Sequence, residues 1–339
     1  MKTQDYDIQV PREMIAQEPI EPRDCSNLLV FERETRKITH TRFFNLPRFL
    51  NKGDCLVFND SRVIPARLRG TIHGLPMDEV VIVLLRRFEE SWEALVEVGE
   101  VEEGQDIDFK GFWGSVIKVG EKVGKRKERV VDIWLSDENK LDLVGELPVP
   151  PYIHGYSGDP ERYQTVYAKI RGSAAAPTAG LHFTNRLLGR LRLKGIKLVF
   201  VTLHVGLDTF MPVLEDNPED HKMYTEFCSI SPEAAEMVNE TRRNGNRVIG
   251  VGTTSVRTME SAHNGVHLQP YNGWTSLYIL PGYKFKSIDG MITNFHYPRS
   301  TNLMLVSAFA GLDNIKEVYA EAVEHGYRFY SFGDSMLIL

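Results

Sequence analysis

The stretch CLVFNDSR at residues 55–62 lies just before a change of pattern in the chain of 339 residues. Its first half is continuously apolar and predicts a buried β-strand, whereas its second half is polar. In α/β proteins, polar residues that directly follow a strand are often those that carry the chemistry. The pattern changes again from Ile64 onward, so we expect the first α/β segment of the chain to end near Arg62.

Residues 62–148 differ in pattern from the rest of the chain. Short apolar segments follow one another, with Gly-containing turns and no helical periodicity between them. Strands are predicted at 66–69, 80–85, 92–98, 107–109, 115–119 and 130–135. Several short strands in succession are typical of a small barrel or sandwich. We therefore predict that residues 62–148 form an inserted small all-β, barrel-like domain.

Outside this insertion, the sequence carries signals for the starts of helices. Thr184 and Ser231 each precede an amphipathic segment, and their hydroxyl groups can accept hydrogen bonds from the first amides of a helix. Asn45 and Asp313 are expected to do the same for two other helices. Leucines 187, 188, 191 and 193 are predicted to form the buried side of the helix that follows Thr184.

Strands alternate with these helices, which predicts a sheet covered by helices. Late strands are predicted at 277–280 and 291–295 and, as a pair, at 328–330 and 335–339. The predicted fold class is α/β: a large mixed-sheet α/β domain with an inserted small all-β domain. The large domain is discontinuous and consists of residues 1–61 and 149–339.

The composition is that of an ordinary globular protein, with 42% hydrophobic and 25% charged residues. The net charge of −6 excludes a basic field over the whole molecule, so a polyanion would have to bind to local patches. The three cysteines are far apart and form no CxxC pair, which favours a reducing compartment and gives no zinc ribbon. No apolar run reaches the ~20 residues that span a bilayer. We expect a cytoplasmic protein that binds no metal.

A candidate anion site begins at residues 251–257, which read VGTTSVR. A strand, a glycine turn and hydroxyl groups at a helix start favour a negative charge, because free amides and the helix dipole point at it. The candidate ligands are Gly252, Thr253, Thr254, Ser255 and Arg257. Glu260 could meet a ribose hydroxyl or an amine. The alternative is an ordinary capped helix, because such caps are common.

Residues 162–184 contain the small-residue run Gly-Ser-Ala-Ala-Ala at 172–176. Small residues let another group approach the backbone closely, and polar segments broken by Gly and Pro often form binding loops. Ser173, Thr178 and His182 are the candidate polar side chains of this loop. A tight connection between two helices is the alternative.

Two further histidines lie in polar surroundings. His204 is expected at a strand end, and His296 lies in the donor-rich loop 293–301. Both positions suit proton transfer or ligand contact, although for His204 a buried histidine with a backbone partner is the alternative. A basic hairpin at 118–129 indicates either a phosphate-contacting surface or an exposed turn. Its basic residues are Lys118, Lys122, Lys125, Arg126, Lys127 and Arg129.

Six long motifs together resemble the S-adenosylmethionine:tRNA ribosyltransferase-isomerase family of queuosine biosynthesis. They lie, in the family order, at residues 58–67, 162–184, 202–213, 251–260, 293–311 and 327–338. The resemblance spans essentially the full length of the chain. Asp208 stands where the family usually has Gly, and Tyr224 where it usually has His. A catalytic role for that family histidine therefore cannot be carried over.

The resemblance implies an enzyme that transfers and isomerises the ribosyl part of S-adenosylmethionine. The acceptor would be 7-aminomethyl-7-deazaguanine at the wobble position of tRNA, and the products would be epoxyqueuosine-tRNA, adenine and methionine. The resemblance also implies an α/β domain with an inserted β-barrel. S-adenosylmethionine would be a cosubstrate and tRNA a partner, with no prosthetic group and no metal. We expect a monomer.

Such a reaction needs a base for the C5′ proton and an acid for adenine departure. We expect these roles among His204, His296 and His182, with Asp60 as the carboxylate alternative. The cosubstrate is expected to contact the candidate ligands at 252–257, together with Glu260, Ser173 and Thr178. The tRNA is expected to contact Arg62, Arg67, Arg69, Arg186, Arg190 and Arg299.

Two other functions remain open at this point. A non-catalytic tRNA-binding protein would bind tRNA in a salt-sensitive way without releasing adenine. An S-adenosylmethionine-dependent tRNA methyltransferase would release S-adenosylhomocysteine instead of adenine and methionine.

Overall fold

The computed structural model describes residues 1–122, 129–206 and 212–339, without the side chains of 75–77, 121 and 122. Within these residues the strands are, in chain order, β1 (Asn27–Glu32), β2 (Lys37–Arg42), β3 (Cys55–Asn59), β4 (Ser61–Val63), β5 (Arg67–Ile72), β6 (Leu75–Arg87), β7 (Trp92–Val98), β8 (Asp106–Asp108), β9 (Trp113–Lys122), β10 (Arg129–Leu135), β11 (Ile170–Ser173), β12 (Lys197–Leu203), β13 (Glu226–Ile230), β14 (Val248–Val251), β15 (Tyr271–Thr275), β16 (Gly290–Asn294) and β17 (Ser335–Ile338).

The α-helices of the described residues are α1 (Leu141–Val144), α2 (Asn185–Leu193), α3 (Pro232–Arg243), α4 (Thr253–Ser261), α5 (Thr301–Ala310) and α6 (Leu312–Glu324). Short 3-10 helices lie at Thr3–Tyr6, Arg12–Met14, Arg23–Cys25, Phe43–Phe49, Glu138–Lys140, Pro160–Tyr163, Thr178–His182 and Pro218–Asp220. None of the helices in the described part of the chain is long and apolar enough to cross a membrane.

Nine strands form one mixed sheet in the order β15-β13-β12-β3-β14-β16-β17-β1-β2. The central strands β12, β3, β14 and β16 run parallel, so their carboxyl ends lie along one edge. Strand β3 lies between β12 and β14, which places the 55–62 stretch at the centre of the sheet. This arrangement confirms the predicted mixed-sheet α/β fold.

Both faces of the sheet are covered, because successive side chains of a strand point to opposite faces. In β3, Cys55 and Val57 belong to one buried cluster, and Leu56 and Phe58 belong to another. The first cluster includes residues of α3 to α6, and the second includes residues of α2. Only the strand ends are therefore left to form a polar site.

The chain leaves this sheet after β3, passes through β4 and builds a closed six-stranded barrel in the order β10-β7-β6-β5-β8-β9. The barrel encloses its own cluster of buried apolar residues and confirms the predicted all-β insertion. The chain returns at β11, which pairs with β4 in parallel. The barrel strands lie between residues 67 and 135, and the exact domain boundaries at 62 and 148 stay predictions.

The local signals for helices had mixed outcomes. Thr184 accepts from the amide of Leu187 at 3.1 Å and Ser231 from that of Ala234 at 3.2 Å, which confirms both caps. Asn45 instead lies inside a 3-10 helix, and α6 begins at Leu312, so the caps predicted at Asn45 and Asp313 are wrong. Leu193 is 91% exposed and does not join the buried side of α2.

Two strand predictions fail for a tertiary reason. Residues 277–280 form no strand, because the partner of β13 is the preceding segment, β15. Residues 328–330 do not pair with β17 either. β17 lies between β16 and β1, which occupy both of its edges.

Candidate active site

A small cavity lies at the carboxyl ends of β14 and β16, where the sheet order leaves polar loops side by side. Its volume is about 50 Å³, which suits a carboxylate or a few waters rather than a whole nucleoside. Its polar lining includes predicted site residues from three separate segments. These are Thr178, Gly252, Thr253, Thr254 and His296.

The start of α4 forms one wall of this cavity. Gly252 has φ +85°, a conformation that side chains rarely adopt, and it turns the chain from β14 into the helix. No side chain caps this helix, so its first amides remain available to a ligand. The hydroxyl of Thr254 is buried and has no hydrogen-bond partner among the described residues. This wall is therefore a ready-made anion site.

Two other predicted cosubstrate ligands on α4, Ser255 and Glu260, use their polar side-chain atoms within the protein. Ser255 donates to the carbonyl of Val251 at 2.8 Å. Glu260 accepts from the amide of Ser287 at 2.8 Å and from the hydroxyl of Tyr283 at 2.9 Å. Burial raises the pKa of the Glu260 carboxyl. Gly252, Thr253 and Thr254 line the cavity and these two residues do not, so their contact with the cosubstrate stays a prediction.

Arg257 likewise makes internal contacts. Its guanidinium forms a buried ion pair with Glu226 of β13 and donates to the carbonyl of Leu277 at 3.0 Å. A buried charge needs a partner of opposite sign, and Glu226 supplies it. Its Nη2 is buried without a partner among the described residues, so the contact of Arg257 with the cosubstrate stays a prediction.

Ser173 holds two backbone segments together. Its hydroxyl donates to the carbonyl of Ala175 at 2.7 Å and accepts from the amide of Val205 at 2.9 Å. The residue is completely buried. Its predicted contact with cosubstrate is revised, whereas Thr178 in the same loop does line the small cavity.

His182 is buried with both ring nitrogens engaged. The side-chain NH₂ of Asn294 donates to the carbonyl of Tyr330 at 2.9 Å, so the Asn294 oxygen faces the Nε2 of His182, at 3.3 Å. Nε2 must then carry the proton, and Nδ1 accepts from the hydroxyl of Ser26 at 2.8 Å. Burial lowers the pKa of His182 to about 4. Both ring nitrogens thus have partners within the protein, and the catalytic role of His182 stays a prediction.

His296 lines the small cavity and keeps one nitrogen available. Its Nε2 lies 2.7 Å from the hydroxyl of Thr293, and its amide donates to the hydroxyl of Tyr319 at 2.6 Å. No hydrogen bond engages its Nδ1 within the described ranges. Burial lowers the pKa of this imidazole to about 4, so the ring is neutral at pH 7.

His204 lies elsewhere, in a wide cleft of about 830 Å³ between the sheet and the barrel. Its Nδ1 is buried without a partner among the described residues, and its ring stacks on Phe227 with centroids 5.8 Å apart. Burial lowers the pKa of His204 to about 4. A Cβ on Gly172 would lie 2.8 Å from its Nε2, so glycine at 172 leaves room for the ring.

One extended segment separates the two cavities. His204 faces the wide cleft, and the next residue, Val205, faces the small cavity. Asn59 fixes the start of this segment, because its side chain exchanges hydrogen bonds with the carbonyl and amide of Leu203 at 2.9 and 3.0 Å. The loop at 172–179 also contributes to both cavities, with Gly172 in the cleft and Thr178 in the small cavity.

Asp60 lines neither cavity. Its carboxylate accepts from the hydroxyl of Thr202 at 2.7 Å, and burial raises its pKa. The contact joins β3 to β12 at the strand ends. The role of Asp60 as the catalytic carboxylate stays a prediction.

The six arginines predicted to contact tRNA all have partners within the protein, and they form no single patch. Arg62, Arg67 and Arg69 form ion pairs with Glu161, Glu97 and Glu146 near the base of the barrel. Arg186 pairs with Asp24 at 3.2 Å, Arg190 donates to the carbonyl of Phe44 at 3.0 Å, and Arg299 pairs with Asp7. Of the basic hairpin, residues 123–128 lie outside the described part of the chain.

Glu226 and Asn294 contact predicted site residues, but neither was itself predicted as a catalytic or binding residue. The alternating pattern of β13 could have identified Glu226. It places this carboxylate at a buried position, where a buried charge needs a partner of opposite sign. Asn294 is the last residue of the buried strand β16, and its contact with His182, which is distant in sequence, could not be predicted from local pattern. Tyr224 lines the wide cleft, and Asp208 lies outside the described residues.

Three potential metal ligands, His40, Glu321 and His325, meet on the surface between β2 and α6. The two imidazole rings stack with centroids 4.1 Å apart and an angle of 17°. A cation in the plane of one ring would therefore lie outside the plane of the other. This geometry is that of a hydrogen-bonded stack, and we assign no metal to it.

Fold and site together define a class: an α/β protein with an inserted β-barrel, whose ligand cavities lie at the strand ends and beside the barrel. Comparison with known proteins is consistent with this class. The chain matches the model of the family described as "Queuosine biosynthesis protein" over residues 3–338. The chain belongs to this family.

Individual relatives match over their full length. The S-adenosylmethionine:tRNA ribosyltransferase-isomerase of Caldanaerobacter subterraneus subsp. tengcongensis is 49% identical, over 100% of both chains. The enzyme of the same name from Symbiobacterium thermophilum is also 49% identical over both full chains. A crystal structure of S-adenosylmethionine tRNA ribosyltransferase from Thermotoga maritima is 36% identical, covers 99% of this chain and 100% of that chain, and has a TM-score of 0.58.

Proposed function

We propose that this protein transfers and isomerises the ribosyl moiety of S-adenosylmethionine onto 7-aminomethyl-7-deazaguanine at the wobble position of tRNA. The products are epoxyqueuosine-tRNA, adenine and methionine. The observation that carries this proposal is the family match over residues 3–338, joined to cavities at the strand ends on the same chain.

The cosubstrate is proposed to use both cavities. Its methionine carboxylate binds at the start of α4, where the first amides and the unpartnered hydroxyl of Thr254 supply donors. The nucleoside part extends toward the wide cleft, because the small cavity of about 50 Å³ cannot hold it. The anchor differs from the sequence-based expectation in leaving out Arg257, whose charge Glu226 already compensates.

The proton at C5′ of the ribose is acidic because it lies next to the sulfonium, and a neutral imidazole can accept it. His204 and His296 both have a pKa lowered to about 4 by burial, so each is in the proton-accepting form at neutral pH. His204 lines the cleft that is large enough for a nucleoside, and its buried Nδ1 has no partner among the described residues, so we propose it as the base. His296 is proposed to orient the substrate from the small cavity.

Further parts of this proposal concern the setting of the reaction. The protein is proposed to act as a cytoplasmic monomer on tRNA, with S-adenosylmethionine as a cosubstrate and with no prosthetic group or metal. The three cysteines, Cys25, Cys55 and Cys228, are all free thiols, which fits a reducing compartment.

The test is to incubate the protein with S-adenosylmethionine and tRNA that carries the aminomethyl base, and to identify the small products. Adenine and methionine are expected. S-adenosylhomocysteine would instead show a methyltransferase, and tight tRNA binding without small products would show a non-catalytic binding protein.

The assignment of the base is tested with His204→Ala and His296→Ala, made separately. Loss of a general base lowers turnover by about 10²–10⁴-fold. His267→Ala is the matched control, because His267 is exposed and lines neither cavity. Wild-type adenine release by the His204 variant would contradict the proposed base.

A further inference from the structure

Four aromatic rings form a continuous row along one wall of the wide cleft. The row, called here the aromatic row, consists of His204, Phe227, Trp274 and Phe88. The ring centroids are 5.8 Å apart from His204 to Phe227, 5.7 Å from Phe227 to Trp274 and 6.5 Å from Trp274 to Phe88. The row begins at the proposed base and ends at the mouth of the cleft.

The sheet and the barrel each contribute to this row. Phe227 and Trp274 are directly opposite residues of the antiparallel pair β13–β15, so both point to the same face. The residues on either side of Phe227 in β13, Glu226 and Cys228, point to the opposite, buried face. Phe88 comes from the barrel, in the turn that follows β6. The row therefore bridges the two parts of the molecule.

The outer end of the row remains open to solvent. Trp274 is 44% exposed and Phe88 is 39% exposed, although both are large apolar side chains. The guanidinium of Arg86 lies 4.7 Å from the ring of Phe88 and 5.3 Å from that of Trp274. Glu93, at 2.8 Å, and Thr225 hold this guanidinium in place. Flat, fixed groups with an accessible face are those on which an unstacked nucleobase stacks.

The charges around the cleft favour a neutral planar ligand over a phosphate. Its three arginines are each paired with a carboxylate: Arg86 with Glu93, Arg87 with Glu138, and Arg171 with Asp142. The pairs have N–O distances of 2.8, 3.1 and 2.8 Å. Because these charges compensate one another, stacking rather than charge attraction distinguishes this surface.

We propose that the outer end of the aromatic row, Trp274 and Phe88, binds an unstacked base of single-stranded RNA next to the base that is modified. This inference rests on the proposed function for the choice of RNA as partner. An RNA base reaches such a position while its backbone stays outside the cleft. The adenine of a small cosubstrate would instead be expected in an enclosed part of the site, because small ligands are mostly buried.

The test measures binding of an anticodon stem-loop RNA by fluorescence anisotropy, without any requirement for turnover. Trp274→Ala is expected to raise the Kd for this RNA about tenfold, because one stacked base is lost. Trp113→Ala is the matched control: Trp113 is 45% exposed but lies on the outer face of the barrel, away from the cleft. Its Kd should equal that of the wild type, and Trp274→Phe should restore most of the binding.

Unchanged RNA binding by the Trp274→Ala variant would overturn the proposal. An increase in the KM for S-adenosylmethionine, with RNA binding unchanged, would assign the row to adenine and would overturn it as well. If Trp274→Ala proves unfolded, Phe88→Ala in the turn of the barrel gives the same comparison.

The outcomes separate this inference from the proposed function. RNA binding that depends on Trp274, in a protein that releases no adenine, would support the row and refute the activity. Adenine release by a protein whose RNA binding does not depend on Trp274 would support the activity and refute the role of the row.

Discussion

At the scale of single residues, burial and hydrogen bonding decide what the three site histidines can do. Burial lowers the pKa of His182, His204 and His296 to about 4, so all three are neutral at pH 7. They differ in whether their ring nitrogens have hydrogen-bond partners. Ser26 and Asn294 engage both nitrogens of His182, whereas His204 keeps a buried nitrogen without a partner among the described residues. Residue type alone could not have shown this difference between His182 and His204.

The lowered pKa values predict a pH dependence of stability. A histidine whose pKa is about 4 when folded and about 6.5 when unfolded binds more protons in the unfolded state between these values. The free energy of unfolding should therefore be greatest above pH 6.5 and fall as the pH drops toward 4. The decrease is at most about 1.4 kcal/mol per pH unit for each such histidine. Urea titrations at several pH values measure it.

The contribution of one histidine is isolated by His182→Gln. Between pH 6.5 and 4, the free energy of unfolding of this variant should depend less steeply on pH than that of the wild type. His73→Gln, at an exposed position in the barrel, should keep the wild-type slope. Equal slopes in all three proteins would show that His182 takes up its proton equally in both states.

At the scale of elements, strand β11 and the segment at 203–206 form the wall between the two cavities. Gly172, in β11, has φ +142° and packs against the ring of His204. The wall is held by buried hydrogen bonds from Ser173 and Asn59 to the backbone of the neighbouring segment. Ser173, which was predicted to contact the cosubstrate, thus also bonds the backbone beside the proposed base.

Gly172→Ala is predicted to impair catalysis through this wall. The added Cβ would lie 2.8 Å from the Nε2 of His204, so the ring must move away. Adenine release should fall at least about tenfold, because small displacements of a reacting group are costly. Turnover and the free energy of unfolding are measured together.

Gly155→Ala provides the control for backbone strain. Gly155 also has a positive φ, +65°, but an added Cβ would meet nothing within 4 Å. This variant should lose stability without a matching loss of turnover. If Gly172→Ala releases adenine at the wild-type rate, the position of His204 does not limit the reaction.

At the scale of the whole molecule, the net charge of −6 means that tRNA must find local basic groups. The arginines predicted for this purpose are paired within the protein, so a phosphate must compete with a carboxylate or a carbonyl. Arg62 lies in β4 directly opposite Arg171 of β11, which lines the cleft, and it pairs with Glu161.

Arg62→Gln is predicted to weaken the salt dependence of tRNA binding. Each lost phosphate contact lowers the slope of log Kd against log salt by about 1. Arg36→Gln is the control, since Arg36 is exposed, pairs with Glu317 and lies beyond β1 at the other edge of the sheet. Identical slopes for both variants and the wild type would remove Arg62 from the tRNA surface.

Much of the fold was predictable because its signals are local. Strand β7 was predicted to the residue, and the caps at Thr184 and Ser231 were confirmed, since periodicity and capping depend on residues a few positions apart. The strand predicted at 277–280 shows the limit of local signals. The pairing of β13 with β15 decides which segment forms the strand, and this pairing is a tertiary contact. The glycine turn at the start of α4 was likewise readable from the sequence.

By itself, the sequence determined the alternation of elements, the presence of an all-β insertion and the family resemblance. Tertiary structure alone decided which candidate residues face a ligand. It paired Arg257 with Glu226, enclosed His182 between Ser26 and Asn294, and divided His204 and His296 between two cavities. The physical reason is that burial and hydrogen-bond partners come from segments distant in the chain, and these partners determine both pKa and accessibility.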